Sequence, residues 1–140
     1  WLPHRKRICG SLLMKIDSKD PVVIIKVECF GEKGSRILDL IFDTGSTYTM
    51  IPWKVAESLG YSPALSRRQV SIITASTTET VPLITIKSMV ALGHKVDHAD
   101  VACHDLPPKS RVDGLLGLSF LRNFDIDLCF KKGILEIKEG

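Results

Sequence analysis

The sequence predicts an all-β fold: a closed barrel with one or two short helices. Apolar residues recur with a period of two through most of the chain, as half-buried strands require. Clusters of Gly, Pro, Asp and Ser interrupt these runs at regular intervals, and helical signals are confined to two short stretches. At 140 residues and 44% hydrophobic, the chain can bury a sizeable core as one domain without staples.

Taken in order, residues 12–16 and 22–30 read as strands separated by the polar run Asp17-Ser18-Lys19-Asp20-Pro21. Residues 31–35 then turn the second strand into a third at 36–42, where Leu38, Leu40 and Phe42 alternate with Ile37, Asp39 and Ile41. A further strand ends at Met50-Ile51. Pro52 suits the first position of a helix and Gly60 its end, so 52–59 reads as helix with Val55, Ala56 and Leu59 facing inward. Strands at 70–74 and 81–86 flank a polar hairpin tip at 75–79, and short strands follow at 90–92 and 99–103. Residues 115–121 read as a second helix and 133–137 as a final strand. Asp125 and Asp127 alternate with Phe124, Ile126 and Leu128, which places them on the wet face of a half-buried strand. Residues 1–20 hold a basic segment and the first strand, and 21–140 the single domain.

One run carries chemistry: Ile41-Phe42-Asp43-Thr44-Gly45-Ser46. Two apolar residues deliver an acid into a Thr-Gly turn, so Asp43 emerges from a buried sheet rather than from a solvated loop. A carboxylate there loses part of its hydration and needs partners, which the Thr44 and Ser46 hydroxyls and the turn's own N–H groups can supply. Further on comes Asp113-Gly114-Leu115-Leu116-Gly117. Asp113 opens that turn without a Thr-Gly partner and reads as structural.

These two motifs, in this order, resemble the retropepsin-like (retroviral-type) single-domain aspartic proteases, and the run Gly117-Leu118-Ser119-Phe120-Leu121-Arg122-Asn123 looks like their bacterial members. The likeness spans about 22–137. It implies the closed acid-protease barrel and, because the chain carries one Asp-Thr-Gly acid, a homodimer that donates Asp43 twice across a two-fold axis. The implied function is a cofactor-free aspartic endopeptidase acting on extended polypeptides. Two carboxylates about 3 Å apart cannot both ionise, so one would act as base on a shared water while the other, protonated, hydrogen-bonds the scissile carbonyl. By the same resemblance Thr44 bridges the two-fold axis, Gly45 lets the backbone approach the acids, and Ser46 bonds an outer carboxylate oxygen. The hairpin tip becomes a flap. Its Ala75-Ser76-Thr77-Thr78 run lacks the glycines of viral flaps and the tyrosine of pepsin-like ones, which implies closure that is stiffer or absent. Candidate substrate-binding residues are Met50, Ile51, Ile73, Ala75, Ser76, Thr77, Val81, Leu83 and Ile84. The competing reading is a catalytically silent dimerisation or peptide-binding module of the same fold.

Composition excludes other classes. A net charge of +3 is too small to argue for nucleic acid, and His4-Arg5-Lys6-Arg7 reads as a solvated tail. Cys9, Cys29, Cys103 and Cys129 form no C-x-x-C pair, which excludes the common zinc and redox spacings; they read as reduced thiols, with disulfides open to an even count. His94, His98 and His104 lie near Asp97, Asp100 and Cys103, but the His-x-x-x-His spacing falls in strand and loop beside Gly93, so no metal is expected. The chain begins with Trp1 and holds no stretch of about 18 apolar residues. The expectation is a cytoplasmic protein, or the soluble domain of one anchored to a membrane through a missing N-terminal segment.

Overall fold

The computed structural model describes residues 11–17, 19 and 22–139, and the basic run and Cys9 lie outside them. Strands β1 (Ser11–Lys15), β2 (Ile24–Gly31), β3 (Gly34–Phe42) and β4 (Thr49–Ile51) lead into helix α1 (Trp53–Ser58) and a 3₁₀ turn (Pro63–Leu65). Then come β5 (Gln69–Ile73), β6 (Thr78–Ala91), β7 (His94–Cys103), β8 (Gly114–Leu116), helix α2 (Leu118–Leu121), β9 (Phe124–Cys129) and β10 (Ile134–Glu139).

Six strands run β2-β3-β8-β4-β7-β6, and a β2–β6 pairing closes them into a barrel; β5 adds to β6 outside the ring, and β1-β10-β9 form a separate sheet. Closure depends on one long strand. β6 pairs with β5 near Thr78, with β7 from Leu83 onward and with β2 from Ser88 to Ala91. Alternation along it fails where neighbours change, which is why 81–86 and 90–92 read separately in the sequence, whereas β6 runs unbroken to Ala91 and Leu92 opens the turn to β7.

The period-two pattern elsewhere does what packing requires. Leu38 and Leu40 of β3 enter the core with Ile25 and Val27 of β2, while Ile37 faces outward. α1 buries Val55 and Ala56, with Leu59 beyond its end, and Pro52 caps the helix rather than occupying its first turn. At about 25 cal/mol per Å² of apolar area, a buried side chain such as Leu59 contributes roughly 1.5–3 kcal/mol.

Two further expectations are corrected. The flap tip is the four-residue loop 74–77, closed by the Thr74 N–H bonding the Thr77 carbonyl at 2.8 Å, and Glu79 lies in β6. Leu115 and Leu116 are strand, not helix: each pairs in parallel with β3, and α2 is only Leu118–Leu121. A short apolar run has no periodicity of its own, so tertiary pairing decides its state. β1 hydrogen-bonds along β10 from Ser11 to Lys15. β10 is the middle strand of that sheet, with Leu135 and Ile137 buried.

Candidate active site

Strand β8 lies between β3 and β4, parallel to the first and antiparallel to the second, with Leu115 facing both Ile41 and Met50. The turn joining β3 to β4 must therefore pass over the end of β8. Asp43 is its first residue. The Asp43 N–H donates to the Leu116 carbonyl at 3.0 Å, which continues the β3–β8 ladder by one step and fixes where the carboxylate begins. The Ser46 N–H returns to the Asp43 carbonyl at 3.2 Å, and the Gly45 N–H donates to Asp43 Oδ1 at 2.9 Å. A Cβ on Gly45 would stand 3.2 Å from that same oxygen, so glycine permits the close approach.

Behind the acid, two hydroxyl side chains complete the frame, Thr49 buried and Ser119 half-buried. Thr49 is fully buried, and its Oγ1 accepts the Gly117 N–H at 3.0 Å. The Ser119 hydroxyl accepts the Thr49 N–H at 2.9 Å and donates to the Asp100 carbonyl at 3.0 Å. The Leu118 and Ser119 N–H groups bond the Ser46 and Thr47 carbonyls at 2.8 and 3.0 Å, so α2 is clipped to the far side of the turn. Gly117 lies where this approach is closest: a Cβ there would be 2.6 Å from the carbonyl oxygens of both Ser46 and Tyr48. Thr49 and Ser119 were missed in the sequence, where a single Thr in an apolar run and a Ser opening a helix give no signal of bonding each other across 70 residues.

Other site residues fall out unevenly. Thr44 and Gly45 are exposed at the turn, whereas the Ser46 hydroxyl donates to the Tyr48 carbonyl at 2.6 Å rather than to the carboxylate. Met50 and Ile73 line a cavity of about 230 Å³ together with Asp43, Ser46, Tyr48, Ile72 and Leu115. Val81 and Leu83 lie in a small apolar cluster with Met50 and Ala102, against which Ile72 packs. Ile51 and Ile84 belong instead to the main core. Ala75, Ser76 and Thr77 stand exposed at the hairpin tip. Asp43 is the one acid lining the cavity among the described residues.

The remaining chemistry-bearing groups have structural partners. Asp113 Oδ2 accepts the Asp39 N–H at 2.8 Å. His94 is buried with Nε2 2.9 Å from the Ile137 carbonyl, and His104 Nε2 lies 3.8 Å from a Glu79 carboxylate oxygen, so the histidines do not converge. Cys29, Cys103 and Cys129 are free thiols, and burial pushes the first two up to about 12. Among the described residues no helix is long and apolar enough to cross a membrane.

A family model for aspartyl proteases matches residues 25–120, a span that contains both motifs and the frame between them. The chain belongs to the aspartyl protease family. The crystal structure of a retropepsin-like aspartic protease from Rickettsia conorii is similar to this aspartyl protease with a TM-score of 0.69 and 19% sequence identity, covering 93% of this chain and 91% of that one. That likeness establishes the retropepsin-like fold. A search of curated proteins gives no match for this family member.

Proposed function

We propose that this aspartyl protease is a homodimeric endopeptidase whose catalytic dyad is Asp43 from each of two copies. The observation that carries the reading is the lone acid. One carboxylate, held by a framed turn at the mouth of a cavity, has no second carboxylate lining that cavity, and a two-fold axis through the exposed turn would supply it.

In the pair, one carboxylate takes a proton from the shared water as its oxygen attacks the scissile carbonyl. The protonated partner hydrogen-bonds the carbonyl oxygen and then assists departure of the amine. Gly45 N–H holds one Asp43 oxygen, so the lone pair that meets water is directed before substrate arrives. Thr44, exposed beside the acid, is placed to reach its counterpart across the axis. Met50, Ile72, Ile73 and Leu115 form an uncharged wall, which favours extended peptides with apolar side chains beside the cleaved bond. No cofactor takes part.

The hairpin tip favours the second reading, a peptide-binding module without turnover, because Ala75, Ser76 and Thr77 give it no glycine hinge. Cleavage of a peptide library by wild type and Asp43→Asn separates the two. The expected result is hydrolysis by the wild type alone, with both proteins folded. Cleavage at equal rates sinks the dyad, and cleavage by neither supports the binding module.

A further inference from the structure

The β5–β6 hairpin lines the cavity with Ser71, Ile72 and Ile73, and its root is tied down by a cluster of polar side chains. Arg68 immediately precedes β5. Its Nη1 and Nη2 donate to Asp100 Oδ1 and Oδ2 at 3.1 and 3.0 Å, a two-pronged pairing onto β7. The Thr85 hydroxyl completes the cluster, accepting from Arg68 Nη1 at 3.0 Å and donating to Asp100 Oδ1 at 2.6 Å. The backbone repeats the tie: the Leu83 N–H donates to the Arg68 carbonyl at 2.9 Å, and the Ser66 hydroxyl donates to the Leu83 carbonyl at 2.6 Å.

Leu83 is a joint. Pro82 is the last β6 residue paired with β5, and Leu83 is the first paired with β7, so the hairpin joins the barrel at this point. Asp100 also faces the acid's frame through its backbone, since its carbonyl accepts the Ser119 hydroxyl that holds Thr49, which in turn holds Gly117. One residue thus belongs to the hairpin root and to the support of the Asp43 turn.

We propose that Arg68 and Asp100 are positioning residues that anchor the β5–β6 hairpin at its root and tie its height above the cavity to the turn carrying Asp43. The kinetic part of this rests on the endopeptidase reading; the mechanical part does not. With side-chain exposures of 54% and 36%, an ordinary ion pair here would contribute little. Two features raise it above that level: the fork geometry, which orients as well as attracts, and the third partner that fixes the carboxylate. A two-stranded hairpin is marginal alone, so a small restraint at its root changes its opening more than it changes global stability. The Arg68 guanidinium also holds the Asp100 carboxyl below the usual carboxylate range, which keeps the anchor charged in acid.

Hydrogen exchange on Arg68→Ala, Asp100→Asn and the double variant tests the anchor. Amides of 70–80 should exchange roughly two- to fivefold faster in each, those of β9 and β10 should not change, and the double variant should be no worse than either single one. Arg68→Lys should recover part of the protection, because one ammonium cannot make the fork. In peptide cleavage the same variants should raise KM with kcat near wild type. Unchanged hairpin exchange in both single variants, additive effects in the double, or a fall in kcat at constant KM overturns the proposal. A protein that cleaves nothing yet shows coupled hairpin exchange retains the anchor and loses only the peptidase reading.

Discussion

Asp113 and Asp39 clasp each other at the entrance to β8: the Asp113 N–H donates to the Asp39 carbonyl, and the Asp39 N–H donates to Asp113 Oδ2, both at 2.8 Å. This engagement separates the second acidic turn from chemistry. Asp113→Asn keeps an acceptor oxygen and should leave proteolysis near wild type. Asp113→Ala strips the Asp39 amide of its partner and should cost about 1–2 kcal/mol of stability, read from urea midpoints, with activity per folded molecule retained. A loss in Asp113→Asn as deep as in Asp43→Asn would point to an acid pair within one chain.

Dilution probes the shared site directly. If each copy holds half of it, specific activity should rise with protein concentration and level off, with the midpoint reporting dimer dissociation. Flat activity down to concentrations where sedimentation finds only monomer rejects the two-fold site. Truncation after Lys132 should instead unfold the protein, because it removes the middle strand of β1-β10-β9 and with it buried Leu135 and Ile137. Among the described residues, β1 and β9 are the outer strands of that sheet.

On the proposed dyad, activity should follow a bell on the acid side of neutral, since such a pair works with one proton between two carboxylates. A rate rising steadily to pH 9 would identify a different base. Stability has its own limits. Asp100 is depressed in the folded state by its hydrogen bonds from Arg68, so its contribution is present above the unfolded value of 3.8 and fades only as pH falls through the lower folded one. Cys29 and Cys103 behave oppositely: raised from 9.0 to about 12, they contribute fully below pH 9.0 and lose that contribution as pH climbs toward 12. Urea midpoints between pH 9 and 11 should fall more gently in Cys29→Ala than in wild type, each thiol adding at most about 1.4 kcal/mol per pH unit to the slope.

Gly117→Ala is the sharpest structural test of the frame. Its methyl would press on the Ser46 and Tyr48 carbonyls at 2.6 Å, both backbone, so the turn rather than a side chain must move. Overpacking of this kind costs about 1–3 kcal/mol, and displacement of the acid should lower kcat more than tenfold. Wild-type kcat in a folded Gly117→Ala protein would mean the clip between α2 and the turn is dispensable.

Much of this site could be read before folding because its motifs are local. Asp43-Thr44-Gly45 names its own turn, and Leu115-Leu116-Gly117 marks the apolar strand and close approach that support it. The pocket walls were less legible. All three residues of β4 are buried, so alternation could not tell that Met50 faces the cavity and Ile51 the core. Tyr48 and Ser71 line the cavity without a motif, positioned by the turn and the hairpin that flank it. Thr49, Ser119 and Asp100 acquire their roles only through bonds between distant segments, which spacing along a chain does not encode.

The insertion of β8 between β3 and β4 also sets a timetable. Asp39 and Asp113 are 74 residues apart, and the loop joining them must close before the Asp43 turn acquires its support. Contacts of such long range form slowly and late in folding. A growing chain that has emerged through Asp43, the helix and the whole hairpin still has no Gly117 behind its acid and no Leu116 carbonyl to fix it. The turn that carries Asp43 therefore stays without its clip until the segment around 116–117 has been made and has docked between β3 and β4.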